Sequence, residues 1–178
     1  LAHPGPVALR YPRGTATGVP LEDPIRALPM GKAEILAEGP DLVILAIGRA
    51  VLEAQRALPI LRQQGIQATV VNGRFVKPLD ANLIQDLAAR IPRVVTVEEN
   101  VRMGGFGSAV LECLADAGIV GAQVVRLGVA DRFVEQGPPQ VLRGLHRLDA
   151  AAIVTAVRNL VSGASTDSSS RAAAIASR

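Results

Sequence analysis

Aromatic side chains are almost missing from this sequence. Tyr11, Phe75, Phe106 and Phe133 are the whole set, and there is no tryptophan. Proteins that bind single-stranded nucleic acid need aromatic platforms on which bases stack. The lysines and arginines are scattered rather than gathered on one face, so nucleic acid is not an expected partner. Cysteine is nearly absent as well. Cys113 has no second cysteine to pair with, and a reducing compartment is expected. Its place within an apolar helical pattern predicts a small buried hydrophobe. The two histidines, His3 and His146, stand far apart, and no cluster has zinc-ligand spacing. A metal held by this chain alone is therefore not expected. No charge-free apolar run reaches the roughly 18 residues of a membrane span, and no signal peptide is visible. Also missing are a P-loop, a Gly-x-Ser-x-Gly elbow, a His-Glu-x-x-His helix, and a Gly-Asp-Gly with a downstream Asn.

What is present suffices for a folded domain. Apolar residues make up 49% of 178, enough for a core. Residues 1–30 are rich in proline and glycine and read as a strand end, over 7–11, followed by a linker. The pattern changes at Gly31. An edge strand is expected over 32–38 and a doubly buried strand over 41–48. A helix follows over 50–64, with Gly65 as its stop, and then a strand over 67–72. Asp80 caps a helix that Pro92 ends. Strands over 93–99 and 122–128 flank a helix over 107–117, and Asp149 caps a last helix over 150–161. This alternation predicts an α/β fold in three layers, a mostly parallel sheet with one antiparallel edge strand and helices on both faces. The antiparallel member is 32–38, joined to 41–48 by the short Gly-Pro-Asp turn. Residues 162–178 hold six serines and few bulky apolar groups, so a disordered tail is expected there.

Three stretches carry chemistry. In "VEENVRMGGFGSAV" (97–110) a strand runs through Glu98 and Glu99 into a glycine turn and a helix. Helix N-termini bind phosphate. The dinucleotide fingerprint is incomplete, however, because Val110 stands where a third glycine belongs, and two acids sit where an anion would approach. A packing turn is the plainer reading. In "GRFVKPLD" (73–80), Arg74 and Lys77 stand at the sheet end where open α/β folds bind ligands. The plainer reading is a structured loop that leads into the Asp80 cap. In "RYPRG" (10–14), Pro12 stiffens the backbone between Arg10 and Arg13, and Gly14 permits close approach. Two fixed guanidinium groups can grip a phosphate or a carboxylate. From the residues alone, surface ion pairs serve equally well.

"GPVALRYPRG" (5–14), "LPMGKAEIL" (28–36), "ATVVNGRFVKPLD" (68–80), "VVTVEENVRMGGFGSAVLE" (94–112), "LGVADRFVEQG" (127–137) and "LDAAAI" (148–153) occur in an order that is familiar. The chain resembles the C-terminal part of the 1-deoxy-D-xylulose-5-phosphate synthases, transketolase-like enzymes that depend on thiamine diphosphate. Other transketolase-like members, such as 2-oxoacid dehydrogenase β subunits, match this wording less well. A free-standing assembly or binding module is the rival of a different class. The resemblance implies a transketolase-type transferase. It condenses pyruvate with glyceraldehyde 3-phosphate, releases carbon dioxide, and feeds isoprenoid, thiamine and pyridoxal synthesis. It implies thiamine diphosphate and magnesium in a full-length homodimer, in the bacterial cytoplasm or plastid stroma. Residues 1–30 then correspond to the end of the pyrimidine-binding domain and a linker, 31–161 to the transketolase C-terminal domain, and 162–178 to an added tail. The chain begins on Leu1 as if cut from a longer polypeptide.

Carried over residue by residue, Arg13 binds the substrate phosphate, with Arg10 as a weaker second contact and Tyr11 in support. Catalytic, cofactor-binding and metal residues belong to upstream segments, so none is expected in this chain, and the isolated chain is expected to be inactive. Upstream domains of the same polypeptide are the expected partners. Two departures stand out: Asn72-Gly73 where the family commonly has Asp-Ala, and Gln136 where many members have His.

Overall fold

The computed structural model describes residues 4–8, 11 and 23–163. Arg10, Arg13 and the chain beyond Gly163, where the tail was expected, lie outside the described residues. Of the strand expected over 7–11, Val7, Ala8 and Tyr11 are described, and none is in a strand.

The described residues form five strands and five helices. They are β1 (Glu34–Ala37), β2 (Leu42–Ala46), α1 (Ala50–Gln63), β3 (Ala68–Asn72), α2 (Ala81–Arg90), β4 (Arg93–Val101), α3 (Phe106–Asp116), β5 (Gln123–Val129), α4 (Pro139–Leu145) and α5 (Ala150–Val161). The sheet runs β1-β3-β2-β4-β5. β2 pairs in parallel with β3 and β4, and β4 with β5, while β1 lies antiparallel on β3.

The apolar runs explain the layers. Successive side chains on a strand point to opposite faces. Leu42, Ile44 and Ala46 join Val70, Val95 and Val97 against α1 and α5, where they meet Ala54, Leu61, Ile153 and Val157. Val43, Leu45, Val71 and Val94 turn the other way and meet Ile84 and Leu87 of α2 and Phe106, Val110 and Leu114 of α3. Each such side chain taken out of water contributes roughly 1.5–3 kcal/mol. A sheet covered on both faces therefore needs unbroken apolar strands, and β2 is buried along its whole length.

The helix starts follow from their caps. Asp80 accepts from the Leu83 N–H and Asp149 from the Ala152 N–H, so each satisfies a donor that the first turn leaves open.

One expectation is corrected. β1 is antiparallel, as the short turn predicted, but its partner is β3 and not β2. The Gly39-Pro40-Asp41 connection is a crossing beneath the start of β3 rather than a hairpin. It runs so close that a Cβ on Gly39 would meet the Gln67 carbonyl carbon and oxygen at 2.5 Å. Thr69 holds the crossing from the sheet side: its hydroxyl donates to the Gly39 carbonyl at 2.7 Å and accepts the Gly39 N–H at 3.0 Å. Asp41 closes it further, accepting the Gln67 N–H at 2.6 Å. A second difference is α4, a short helix with no buried residue, which has no counterpart in the sequence pattern. Cys113 is half-buried rather than fully enclosed, with the Gln85 side-chain amide 3.5 Å from its sulfur.

Candidate functional site: the C-terminal edge of the sheet

The four parallel strands end together, and the loops that leave them hold most of the chemically distinctive residues. Glu98 lies near the end of β4. Its side chain is only 1% exposed. One carboxylate oxygen accepts the Phe106 N–H at 2.7 Å and the other accepts the Gly107 N–H at 2.8 Å. Strand, glycine turn and helix thus form a closed unit in which the chain's own carboxylate occupies the positive end of α3. Gly105 is required there, because a Cβ would overlap the Glu98 carboxylate and the Val101 carbonyl. A phosphate approaching the start of α3 would meet a buried negative charge with its donors already engaged. The glycine turn is therefore a packing turn.

Arg74, at the end of β3, also turns inward. Its backbone sits at φ 54°. Its N–H donates to the Asn72 side chain at 3.2 Å, and its guanidinium reaches Glu34 on β1 at 2.5 Å. The residue ties the antiparallel edge strand to the sheet and does not face an external anion. Lys77 is exposed and makes no ion pair among the described residues. Gly73 meets Phe106: an alanine Cβ there would come within 2.8 Å of the ring's Cζ.

The sequence did not single out the next group. Glu53, in the first turn of α1, is 5% exposed. It accepts from Arg56 at 2.8 Å and from the Ala150 N–H at 3.3 Å, so it also closes the start of α5. Arg143 of α4 lies 3.9 Å from Glu53 and donates to Glu99 at 3.0 Å. One cation on a helix without buried residues thereby bridges α1 and the end of β4. Nearby, Arg126 of β5 donates to the Ser108 hydroxyl at 3.0 Å and to the Arg102 carbonyl at 3.2 Å. The one available signal was the pair Glu98-Glu99 at the end of an otherwise apolar strand.

Asp80, a capping residue rather than a reactive one, is also held tightly. Burial pushes its carboxyl up. The Ala33 and Leu83 N–H groups and the Lys32 ammonium outweigh that effect and hold it below its ordinary value.

Of the residues expected to bind phosphate, only Tyr11 is described. It is 85% exposed and makes no hydrogen bond among the described residues. Among the described residues no group of three or more His, Cys, Asp or Glu could hold a metal ion. With the α3 donors engaged by Glu98, the described residues do not fit a diphosphate–magnesium group. No described helix is long and apolar enough to cross a membrane.

Residues 31–153 match the transketolase, C-terminal domain family. A 1-deoxy-D-xylulose-5-phosphate synthase 1 from Geobacter sulfurreducens is 54% identical over 156 residues, which is 88% of this chain and 24% of that protein. The synthase of Thermomicrobium roseum is 54% identical over 151 residues, 85% of this chain and 24% of its own length. That of Syntrophotalea carbinolica is 50% identical over 172 residues, 97% of this chain and 27% of its own. The chain thus spans about a quarter of the length of these relatives. Among solved structures, one described as "Split gene transketolase, inactive beta4 tetramer" is 37% identical with a TM-score of 0.72. The match covers 80% of this chain and 46% of that one. A transketolase from Pichia stipitis shares the fold at 19% identity and a TM-score of 0.53, over 75% of this chain and 18% of its own. The chain belongs to the transketolase C-terminal domain family and corresponds to the C-terminal part of relatives named 1-deoxy-D-xylulose-5-phosphate synthase.

Proposed function

We propose that this chain is the C-terminal part of a 1-deoxy-D-xylulose-5-phosphate synthase, a transferase that joins pyruvate to glyceraldehyde 3-phosphate with loss of carbon dioxide. The observation that carries this reading is identity of about one residue in two to several such synthases over most of the chain. Residues 31–161 are then the transketolase C-terminal domain, 1–30 the end of the pyrimidine-binding domain with its linker, and 162–178 an added tail. The full-length enzyme is a homodimer of the bacterial cytoplasm. It carries thiamine diphosphate and magnesium on its upstream domains, where the cofactor supplies the nucleophile that activates pyruvate.

Arg13 holds the phosphate of the acceptor and so orients its aldehyde; Arg10 adds a weaker contact and Tyr11 supports them. Three points support this assignment. Pro12 stiffens the backbone between the two arginines, and an arginine fork matches a phosphate oxygen pair. In addition, the alignment with the Syntrophotalea carbinolica relative leaves out only a few residues of the chain, so the Arg10–Gly14 stretch falls within it.

The isolated chain is inactive on this reading, because the cofactor is held by the upstream domains. The related split-gene protein described as an inactive tetramer is consistent with such a division of labour. Formation of 1-deoxy-D-xylulose 5-phosphate by the full-length polypeptide tests the assignment directly. In that protein Arg13→Ala raises the KM for glyceraldehyde 3-phosphate by roughly 10- to 150-fold, the equivalent of one charge-assisted contact. An unchanged KM removes Arg13 from the site.

A further inference from the structure

The end of the sheet that carries the site residues is also unusually bare. Val76, Met103, Phe133, Val134, Val141 and Leu145 are exposed there, with Phe133 as open as a free side chain at 103%. Val141 and Leu145 lie four residues apart, so they share one face of α4, and α4 buries none of its residues. Exposed apolar groups concentrated on one side of a domain mark a contact surface. Among the described residues, the loops at the opposite end of the sheet offer only Val120 as an exposed large apolar residue.

The topology says what reaches this surface. β1 is antiparallel, and its first residue, Glu34, pairs with Asn72, the last residue of β3. The polypeptide before β1 therefore arrives at the same end of the sheet. Its described residues Ile25, Leu28 and Met30 are exposed as well. A short tether of this kind holds what precedes it at an effective concentration of order millimolar. Arg49, at the junction of β2 and α1 on the same edge, adds a polar requirement: its Nε is buried and has no acceptor among the described residues. Buried donors are rarely left so.

We infer that the C-terminal edge of the sheet, centred on Phe133, Met103 and the outer face of α4, is the docking face for the polypeptide that precedes Leu1 in the full-length enzyme. The inference rests on the reading that such a polypeptide exists. The occupant presents apolar side chains to α4 and Phe133 and a carbonyl or carboxylate to Arg49. A contact of this kind belongs to the size class of interdomain interfaces, about 600–1,500 Å².

Hydroxyl-radical footprinting with peptide mass spectrometry tests the inference on unmodified sequences, comparing the 178-residue chain with the full-length enzyme. Oxidation of Met103 and Phe133 slows by roughly fivefold or more in the full-length enzyme, as coverage by an interdomain contact requires, while Val120 and Leu111 react equally in both. Equal rates at Met103 and Phe133 overturn the inference. So does protection that is already present in the 178-residue chain and grows with its concentration, which assigns the face to a second copy. Product formation is assayed on the same full-length preparation. Protection without product removes the synthase reading and leaves the docking face standing; product without protection removes the docking face alone.

Discussion

Glu98 and Gly107 are joined across the glycine turn by a 2.8 Å hydrogen bond from the Gly107 amide to the Glu98 carboxylate, both buried. The second carboxylate oxygen takes the Phe106 amide at 2.7 Å. This pairing settles what the turn does. The same two amides, left open, would form an anion site; closed by Glu98, they lock β4 to α3. Glu98→Ala leaves two buried N–H groups without partners. Charge-assisted bonds of this kind contribute on the order of 1.5–3 kcal/mol each, so the variant loses roughly 3 kcal/mol or more in urea unfolding. Glu98→Gln keeps one acceptor oxygen and loses less. A loss below about 1 kcal/mol for the alanine variant contradicts the closed-unit account.

Gly39→Ala tests the crossing from β1 to β2. The obstacle is the backbone of Gln67, not a side chain that can swing away. Overpacking against fixed atoms costs about 1–3 kcal/mol or more. Gly121, by contrast, has open space around its Cβ direction, and Gly121→Ala changes stability by less than about 0.5 kcal/mol. Thermal unfolding of the two variants side by side separates a specific close approach from a general glycine effect.

The crossing also shows where sequence reading stops. The doubly buried strands were legible because β2 is an unbroken apolar run and the middle of β4 is apolar but for Thr96, and the helix starts because Asp80 and Asp149 are capping residues with little other use. Strand order was not legible. A turn as short as Gly39–Asp41 reads as a hairpin, and only the contact with Gln67, distant in sequence, reveals that the chain passes under β3. α4 was invisible for a related reason: Pro138 and Pro139 suggest a loop, and no buried face imposes a helical period. Arg143 and Glu53 could not be paired from sequence, because the 90 or so positions between them carry no local signal. Arg74 illustrates the converse. Its position at a strand end allowed an external anion beside the plainer reading of a structured loop; the partner, Glu34, comes from the antiparallel neighbour and was not legible.

Asp80 gives a pH dependence with a definite sign. Its carboxyl is held below its ordinary value in the folded chain by the Ala33 and Leu83 N–H groups and Lys32, against the opposing effect of burial. A group depressed in this way stabilises the fold above its unfolded value, about 3.9. That stability is lost as the pH falls through the lower, folded value. Asp80→Ala therefore destabilises by about 1–2 kcal/mol at pH 7, the range of a lost cap. The gap between variant and parent narrows as the pH drops below about 4. Urea titrations at a series of pH values read this directly, and a gap that widens on acidification reverses the assigned sign.

Arg143 tests how α4 is held. The helix has no buried residue, so hydrophobic burial does not anchor it; the tie is the guanidinium between Glu53 and Glu99. Glu53 keeps Arg56 and the Ala150 amide when Arg143 is gone, so α1 and α5 stay capped. Arg143→Met, which retains an apolar stem, should therefore act locally. Global stability falls by no more than about 1 kcal/mol, as expected for a partly exposed pair. Amide exchange across 139–145 accelerates by tenfold or more, on the order of 1.4 kcal/mol of local opening, while β2 and β4 exchange as before. Exchange that accelerates equally in α4 and β4 would mean that the arginine supports the whole sheet edge rather than one helix. Unchanged exchange in both would place the anchor of α4 elsewhere, in the chain that follows Leu145.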